Sequence, residues 1–141
     1  MIEVYDITQE DTDVTQTDTT AASLQDLFVY RVPLGVSIIL SPEDVLNVYL
    51  RETDDTVAQA TAQVKLEIRD STGSEKQPLV HPTQYAVFNG EFQDEDLFVK
   101  LDIPAPITIP ERWYIALMGN NPSPFLDKDL SYFTLTAHRE R

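Results

Sequence analysis

The stretch from Lys100 to Asn120 reads KLDIPAPITIPERWYIALMGN and decides the predicted fold. Up to Ile103 apolar side chains occupy every second position, a period typical of a strand with one buried face. Beyond Pro110 both sets of alternate positions are apolar, which indicates a central strand buried on both faces. Pro104 and Pro106 cannot donate ladder hydrogen bonds. We therefore predict an extended, unpaired corner that crosses a sheet edge or passes between two sheets.

Segments predicted to be strands recur along most of the chain, and most of them show the same period of two. The segments are Ile2–Ile7, Leu27–Val32, Val36–Leu40, Val45–Arg51, Val64–Arg69, Tyr85–Phe88, Leu97–Ile103, Trp113–Met118 and Leu130–His138. They are short and separated by turn-forming residues, as in sandwiches and barrels. The sequence therefore predicts an all-β fold, an antiparallel β-sandwich or jelly roll of about seven to nine strands with an extended acidic N-terminal arm.

Two segments carry conflicting signals. Residues 41–52 begin SPED, with a serine at a possible N-cap and a proline at the first helical position, which favours a helix. The following VLNVYLRE alternates and is rich in β-branched and aromatic residues, so we favour a strand there over a helix. Residues 77–82 are framed by two prolines and are predicted to form a loop.

The chain divides by composition into two parts. Residues 8–20 contain six threonines and four acids but one apolar side chain, so they cannot bury enough surface to offset their chain entropy. We predict that residues 1–22 hold a short strand and a flexible acidic arm, either mobile or ordered against a neighbouring subunit. Residues 23–141 are predicted to form a single sandwich domain that stays folded when residues 1–22 are deleted.

Charge and cysteine content exclude several classes of function. The 141 residues carry a net charge of −14, so phosphate backbones and anionic membrane surfaces should repel the protein. No nucleic-acid or membrane partner is expected. The chain has no cysteine, which excludes thiolate metal sites and cysteine nucleophiles. No apolar run approaches about 18 residues, and we expect a soluble protein without a signal sequence.

No motif for chemistry stands out. The only histidines, His81 and His138, lack metal-site spacing and are predicted to lie at the surface. Phosphate loops, nucleophile elbows and helical metal motifs are missing. The acidic groups Asp94–Asp96, Asp127 with Asp129, and Asp54 with Asp55 are interpreted as solvated loops, with calcium binding as the alternative. We predict a protein that is not an enzyme, with no catalytic residues, no cofactor and no metal site.

Aromatic side chains leave one ligand hypothesis open. Sugar-binding sandwiches present flat rings on a sheet face or loop, and Trp113, Tyr114, Tyr132 and Tyr85 are the candidates here. Trp113 is in phase with Ile115 and Leu117, so core packing is the favoured interpretation for it. The hypothesis therefore depends on the tyrosines.

The strand succession resembles a known class of protein. The segments LFVYRVPLGVSIILSPEDVLNVYLRE (27–52), QVKLEIRD (63–70), FVKLDIPAPITIPERWYIALMG (98–119) and SYFTLTAHRE (131–140) follow an acidic, threonine-rich arm. This succession resembles the small β-sandwich or jelly-roll accessory proteins of virus and phage particles.

The resemblance implies a structural role without a ligand site. It implies a capsid decoration, cement, minor capsid or tail component that binds other protein subunits, as a homo-oligomer or with capsid or tail proteins. It also implies a place in the virion, assembled in the host cytoplasm, with a soluble or extracellular protein as the other possibility. The alternative function is a carbohydrate-binding or calcium-dependent adhesion module.

Overall fold

The computed structural model describes residues 2–8, 13–14, 24–49, 60–87, 97–119 and 132–140. Within these ranges there is no helix, and hence none that could span a membrane. The described strands are β1 (Ile2–Val4), β2 (Ile7–Thr8), β3 (Asp13–Val14), β4 (Gln25–Arg31), β5 (Ile38–Leu40), β6 (Val45–Tyr49), β7 (Ala60–Arg69), β8 (Glu75–Val87), β9 (Leu97–Lys100), β10 (Ile107–Ile109), β11 (Tyr114–Gly119), β12 (Tyr132–Leu135) and β13 (His138–Glu140). All their pairings are antiparallel.

One layer of the sandwich consists of two four-stranded sheets placed end to end. Their strand orders are β1-β13-β5-β10 and β2-β12-β6-β9, so the same four chain segments run through both sheets in the same order. Three backbone hydrogen bonds bridge the break: Tyr5 N–H to the Ala137 carbonyl (2.8 Å), Thr136 N–H to Val45 (3.1 Å) and Leu101 N–H to Asp44 (3.2 Å). The layer is therefore one four-stranded sheet interrupted in the middle.

The other layer is a five-stranded sheet with the order β3-β4-β11-β7-β8. When each interrupted strand is counted once and β3 is left out, the two layers have the orders 1-8-3-6 and 2-7-4-5. This is the order of an eight-stranded jelly roll, built from two Greek keys. The predicted all-β sandwich or jelly roll is confirmed, and the interruptions explain why the described strands outnumber the predicted ones.

A single apolar core lies between the layers. Phe28 of β4 and Phe133 of β12 meet across it, with ring centroids 5.5 Å apart. Ile7 of β2 has no solvent-accessible surface and belongs to this core. Of the predicted core residues, Leu101, Ile115 and Leu117 are buried. Trp113 is only partly buried and packs against the margin of the core.

Several local predictions are confirmed. Residues 45–49 form strand β6, and the preceding SPED forms a turn in which the Asp44 carboxylate accepts a hydrogen bond from Ser41 N–H at 2.8 Å. β11 lies at the centre of its sheet, as its apolar residues on both faces indicate. Between β10 and β11 the chain passes from one layer to the other.

Two local predictions are wrong. Residues 77–82 are not a loop but part of β8, which tolerates Pro78 and Pro82 because it is an edge strand that pairs on one side only. The predicted unpaired corner is paired in part, since Ile107–Ile109 forms β10 and pairs with β5. The prolines there lie outside the three paired residues, where no ladder donor is needed.

The division into residues 1–22 and 23–141 remains a prediction. Residues 2–8 and 13–14, the described part of the first segment, lie in β1, β2 and β3 and pair with strands of the sandwich. We therefore place these strands with the folded domain and not with an arm. The mobility predicted for residues 8–20 falls largely outside the described residues.

Candidate interaction surface

Strand β1 is an edge of the interrupted layer and presents apolar side chains to solvent. Among the described strands it pairs only with β13, so no described strand occupies its other backbone edge. Ile2 is 63% exposed and Val4 is 65% exposed, and they lie on one face of the strand. In the register they stand opposite Glu140 and His138 of β13. The edge therefore combines open hydrogen-bonding groups with an exposed apolar pair.

Side chains on the opposite face hold β1 against the sandwich. Glu3 stands opposite Arg139, and the Arg139 guanidinium donates a hydrogen bond to the Glu3 carboxylate. The same guanidinium lies over the ring of Tyr5, 5.1 Å from its centroid. The Tyr5 hydroxyl in turn lies 2.8 Å from the hydroxyl of Tyr30 in the other layer. These contacts fix the edge strand and neutralise its single acidic side chain.

The edges formed by β8 and β10 differ from β1 in carrying features that oppose further pairing. β8 contains Pro78 and Pro82, and its pairing with β7 shifts register at three points. Pro106 and Pro110 flank β10 directly. Prolines and register irregularities at sheet edges prevent the addition of another strand. Among these three edges, β1 is the one without such protection.

A second exposed feature is an aromatic cluster, Tyr49, Tyr132 and Phe98, on the outer face of the interrupted layer. The rings of Tyr49 and Tyr132 are opposite in register and stack with centroids 5.3 Å apart and planes at 11°. Phe98 of β9 is 66% exposed and stands opposite Asn47. The Asn47 side-chain oxygen is buried without a hydrogen-bond partner in the structure. The cluster is therefore an exposed aromatic surface formed by β6, β9 and β12.

The outer face of the five-stranded sheet carries a network of ion pairs. Arg69 donates to both oxygens of Asp26 at 2.6 and 2.8 Å and to Glu67 at 2.7 Å. Lys65 contacts Glu67 at 2.9 Å and Glu75 at 3.1 Å. A concavity of about 310 Å³ lies beside the network and is lined in part by Asp26, Arg69 and Tyr114.

The protonation of this network follows from its geometry. Burial raises the pKa of Glu67, which is only 4% exposed, but the hydrogen bonds from Lys65 and Arg69 outweigh burial and leave that pKa below its usual value. The hydrogen bond to Asp26 raises the pKa of Arg69, and the one to Glu67 raises the pKa of Lys65. These shifts favour the charged forms of Lys65, Glu67 and Arg69, so the network stabilises the sheet surface through its ion pairs.

Comparison of the chain with known proteins gives matches among solved structures. No protein-family model matches the chain, and no curated protein matches it. Among solved structures it is similar to the VP16-VP17 complex, a complex of the two major capsid proteins of bacteriophage P23-77. The TM-score is 0.52 at 10% identity, and the match covers 100% of this chain and 99% of that chain.

A second solved structure leads to the same result. The chain is similar to VP17, a capsid protein of bacteriophage P23-77, with a TM-score of 0.50 at 8% identity, and the match covers 100% of this chain and 98% of that chain. The chain has the fold of these phage capsid proteins. The resemblance to jelly-roll proteins of phage particles is thereby confirmed at the level of fold. These neighbours are capsid proteins.

The structure separates the residues that the sequence singled out. His81 is a surface residue whose ring nitrogen lies 2.8 Å from Asp102, and His138 is half-buried 3.8 Å from Asp44. Tyr132 lies in the aromatic cluster, whereas Tyr114 lies under the guanidinium of Arg31 on the other layer. The aromatic candidates therefore do not form one site.

Other predicted site residues cannot be placed together. The acidic groups at residues 54–55, 94–96 and 127–129 lie outside the described residues, and Tyr85 is in β8. Within the described ranges, no cluster of three or more histidines or acids could hold a metal ion. The sequence predicted a short first strand that contains Ile2 and Val4, but it did not predict that the two side chains form an exposed apolar edge. Nothing local to that strand distinguishes an exposed apolar face from a buried one.

Proposed function

We propose that this protein is a structural component of a virus or phage particle that acts by binding other protein subunits. The observation that carries the proposal is the structural match to phage capsid proteins, which covers 100% of this chain. The open β1 edge supports it, because exposed strand edges are a common route for one chain to add to the sheet of another.

Within the particle we propose an accessory role, as a decoration, cement, minor capsid or tail component assembled in the host cytoplasm. A single jelly roll with a net charge of −14 supports this role, since the charge limits association in solution before assembly. A partner with a basic surface would overcome the repulsion. Its binding should weaken as salt rises towards about 1 M, where the screening length falls to about 3 Å.

The test is co-purification with particles. Particles from the source culture are purified through two different density gradients, treated with nuclease and analysed by quantitative mass spectrometry. We expect this chain to follow the particle peak in both gradients at a constant ratio to the main shell protein. An abundant soluble host protein is the control and should be lost. A chain that is absent from the particle peak would overturn the proposed function.

A second candidate function is binding of a carbohydrate at the aromatic cluster. The observation that favours it is the exposed Phe98 on the same sheet face as the stacked Tyr49 and Tyr132. Sugars bind on aromatic faces of this kind. A glycan array compares the protein with its Phe98→Ala variant. Binding that Phe98→Ala abolishes would favour this candidate, and no binding by either protein would remove it.

A further inference from the structure

We propose that strand β1 is the site at which two copies of this chain pair, edge to edge, about a twofold axis. The inference names a partner for the assembly role and so rests on the proposed function. β1 has an open backbone edge and two of the exposed large apolar side chains in the described part of the chain. Pairing of β1 with its copy would join two four-stranded sheets into one sheet of eight strands across the dimer.

The side chains of β1 select one register for this pairing. In an antiparallel pair centred on Glu3, Ile2 stands opposite Val4 of the second copy, and Val4 opposite its Ile2. Shifting the centre by one residue, to Val4, places Ile2 opposite Asp6 and leaves one apolar pair, Val4 with its copy, in place of two. The centred register makes the strand complementary to itself, as a twofold interface requires.

Polar residues of β13 border the apolar pair of β1. Because Ile2 and Val4 share a face with Glu140 and His138, the four apolar side chains of the dimer lie between polar residues on both sides. An apolar centre with a polar rim is the usual organisation of a protein interface. On the other face Glu3 would meet its copy, and the hydrogen bond from Arg139 offsets that repulsion.

Net charge gives the pairing a distinct salt dependence. Each copy carries −14, so two copies repel at long range although the edge itself is nearly neutral. Salt shortens the screening length from about 10 Å at ~0.1 M to about 3 Å at ~1 M. Association of two copies should therefore tighten as salt rises, whereas binding to a basic partner should weaken.

Disulfide trapping tests the register directly, because the chain has no cysteine of its own. In the proposed pair residues 2 and 4 of different copies stand opposite each other, with Cα atoms about 4.5–5.5 Å apart, within the range of a disulfide. Two copies of residue 2 are diagonal neighbours at about 7–8 Å, outside that range. An oxidised mixture of Ile2→Cys and Val4→Cys chains should therefore form covalent dimers far more efficiently than either variant alone. Equal trapping in all three samples, or none in the mixture, would overturn the proposal.

Sedimentation velocity at several concentrations and salt levels tests the association itself. Val4→Lys places a charge at the open edge and should abolish the dimer, since edge lysines oppose strand addition. Phe98→Lys is the matched control, because Phe98 is equally exposed but lies on β9, and it should leave the dimer intact. Circular dichroism establishes that both variants are folded. A wild-type chain that remains monomeric at high salt, or a dimer that Val4→Lys leaves unchanged, overturns the proposal. So does loss of the dimer in Phe98→Lys, because the contact would then lie elsewhere.

Particle incorporation separates this inference from the proposed function. If wild-type protein never dimerises but still follows the particle peak, the β1 pairing is wrong and the structural role stands. If the protein dimerises through β1 but is absent from particles, the structural role is wrong and the pairing stands. Each proposal thus has an outcome that removes it alone.

Discussion

At the scale of single residues, Asp70 organises the hairpin turn between β7 and β8. Its carboxylate accepts hydrogen bonds from the Thr72 hydroxyl and from the N–H groups of Thr72 and Ser74. Gly73 follows with φ at 89°, a conformation that favours glycine. The Thr72 hydroxyl, more than any other group, lowers the pKa of Asp70 from 3.8 to about 2. The charged form of Asp70 is therefore part of the folded turn.

The lowered pKa of Asp70 predicts how stability depends on pH. A carboxylate whose folded pKa is lowered stabilises the fold above its unfolded pKa of 3.8, and the contribution is lost as the pH falls towards about 2. Asp70→Asn should lower the free energy of unfolding at pH 7 and make its fall between those two pH values shallower. Urea unfolding at a series of pH values measures both effects. An unchanged slope in this window would contradict the assigned role of the turn.

Core residues differ in how much stability they carry. Phe133 is completely buried against Phe28, so Phe133→Ala should cost about 3–5 kcal/mol. Trp113 is only partly buried, and Trp113→Ala should cost less because part of its surface is already in water. Urea denaturation of the two variants gives both values. If Trp113→Ala lowered the free energy of unfolding as much as Phe133→Ala or more, Trp113 would be a central core residue, as the sequence predicted.

At the scale of elements, the prolines of β8 are expected to keep this edge from pairing with other chains. Pro78 and Pro82 lack N–H donors, and β8 is otherwise a strand of thirteen residues, Glu75–Val87, at the edge of its sheet. A double variant, Pro78→Val with Pro82→Val, should keep the fold and gain self-association, detected by light scattering. Pro104→Val, in the corner between β9 and β10, is the control and should not. Absence of any gain would contradict the protective role of these two prolines.

At the scale of the whole molecule, residues 2–8 pack with the strands of the sandwich. Ile7 is buried in the core, and β1 and β2 pair with β13 and β12. Deletion of residues 1–8 should therefore destabilise the sandwich by at least the cost of removing one large core side chain, about 2–5 kcal/mol. Thermal unfolding compares the truncated chain with Ile7→Ala, which should account for part of the loss. A truncated chain as stable as the full chain would support the predicted independence of residues 23–141.

Alternation along each segment is a local property, and the sequence by itself was enough to determine it. It predicted an all-β sandwich or jelly roll, β11 as a central strand and residues 45–49 as a strand in spite of helix-start signals. Which strands pair and pack together is not a local property, because these contacts join residues far apart in the chain, such as Glu3 and Arg139. Only the tertiary structure decided that β1 and β2 join the sandwich and that β8 pairs despite its prolines. It also decided that Ile2 and Val4 face solvent at an open edge, since exposure depends on which strands lie beside β1 and not on its own residues.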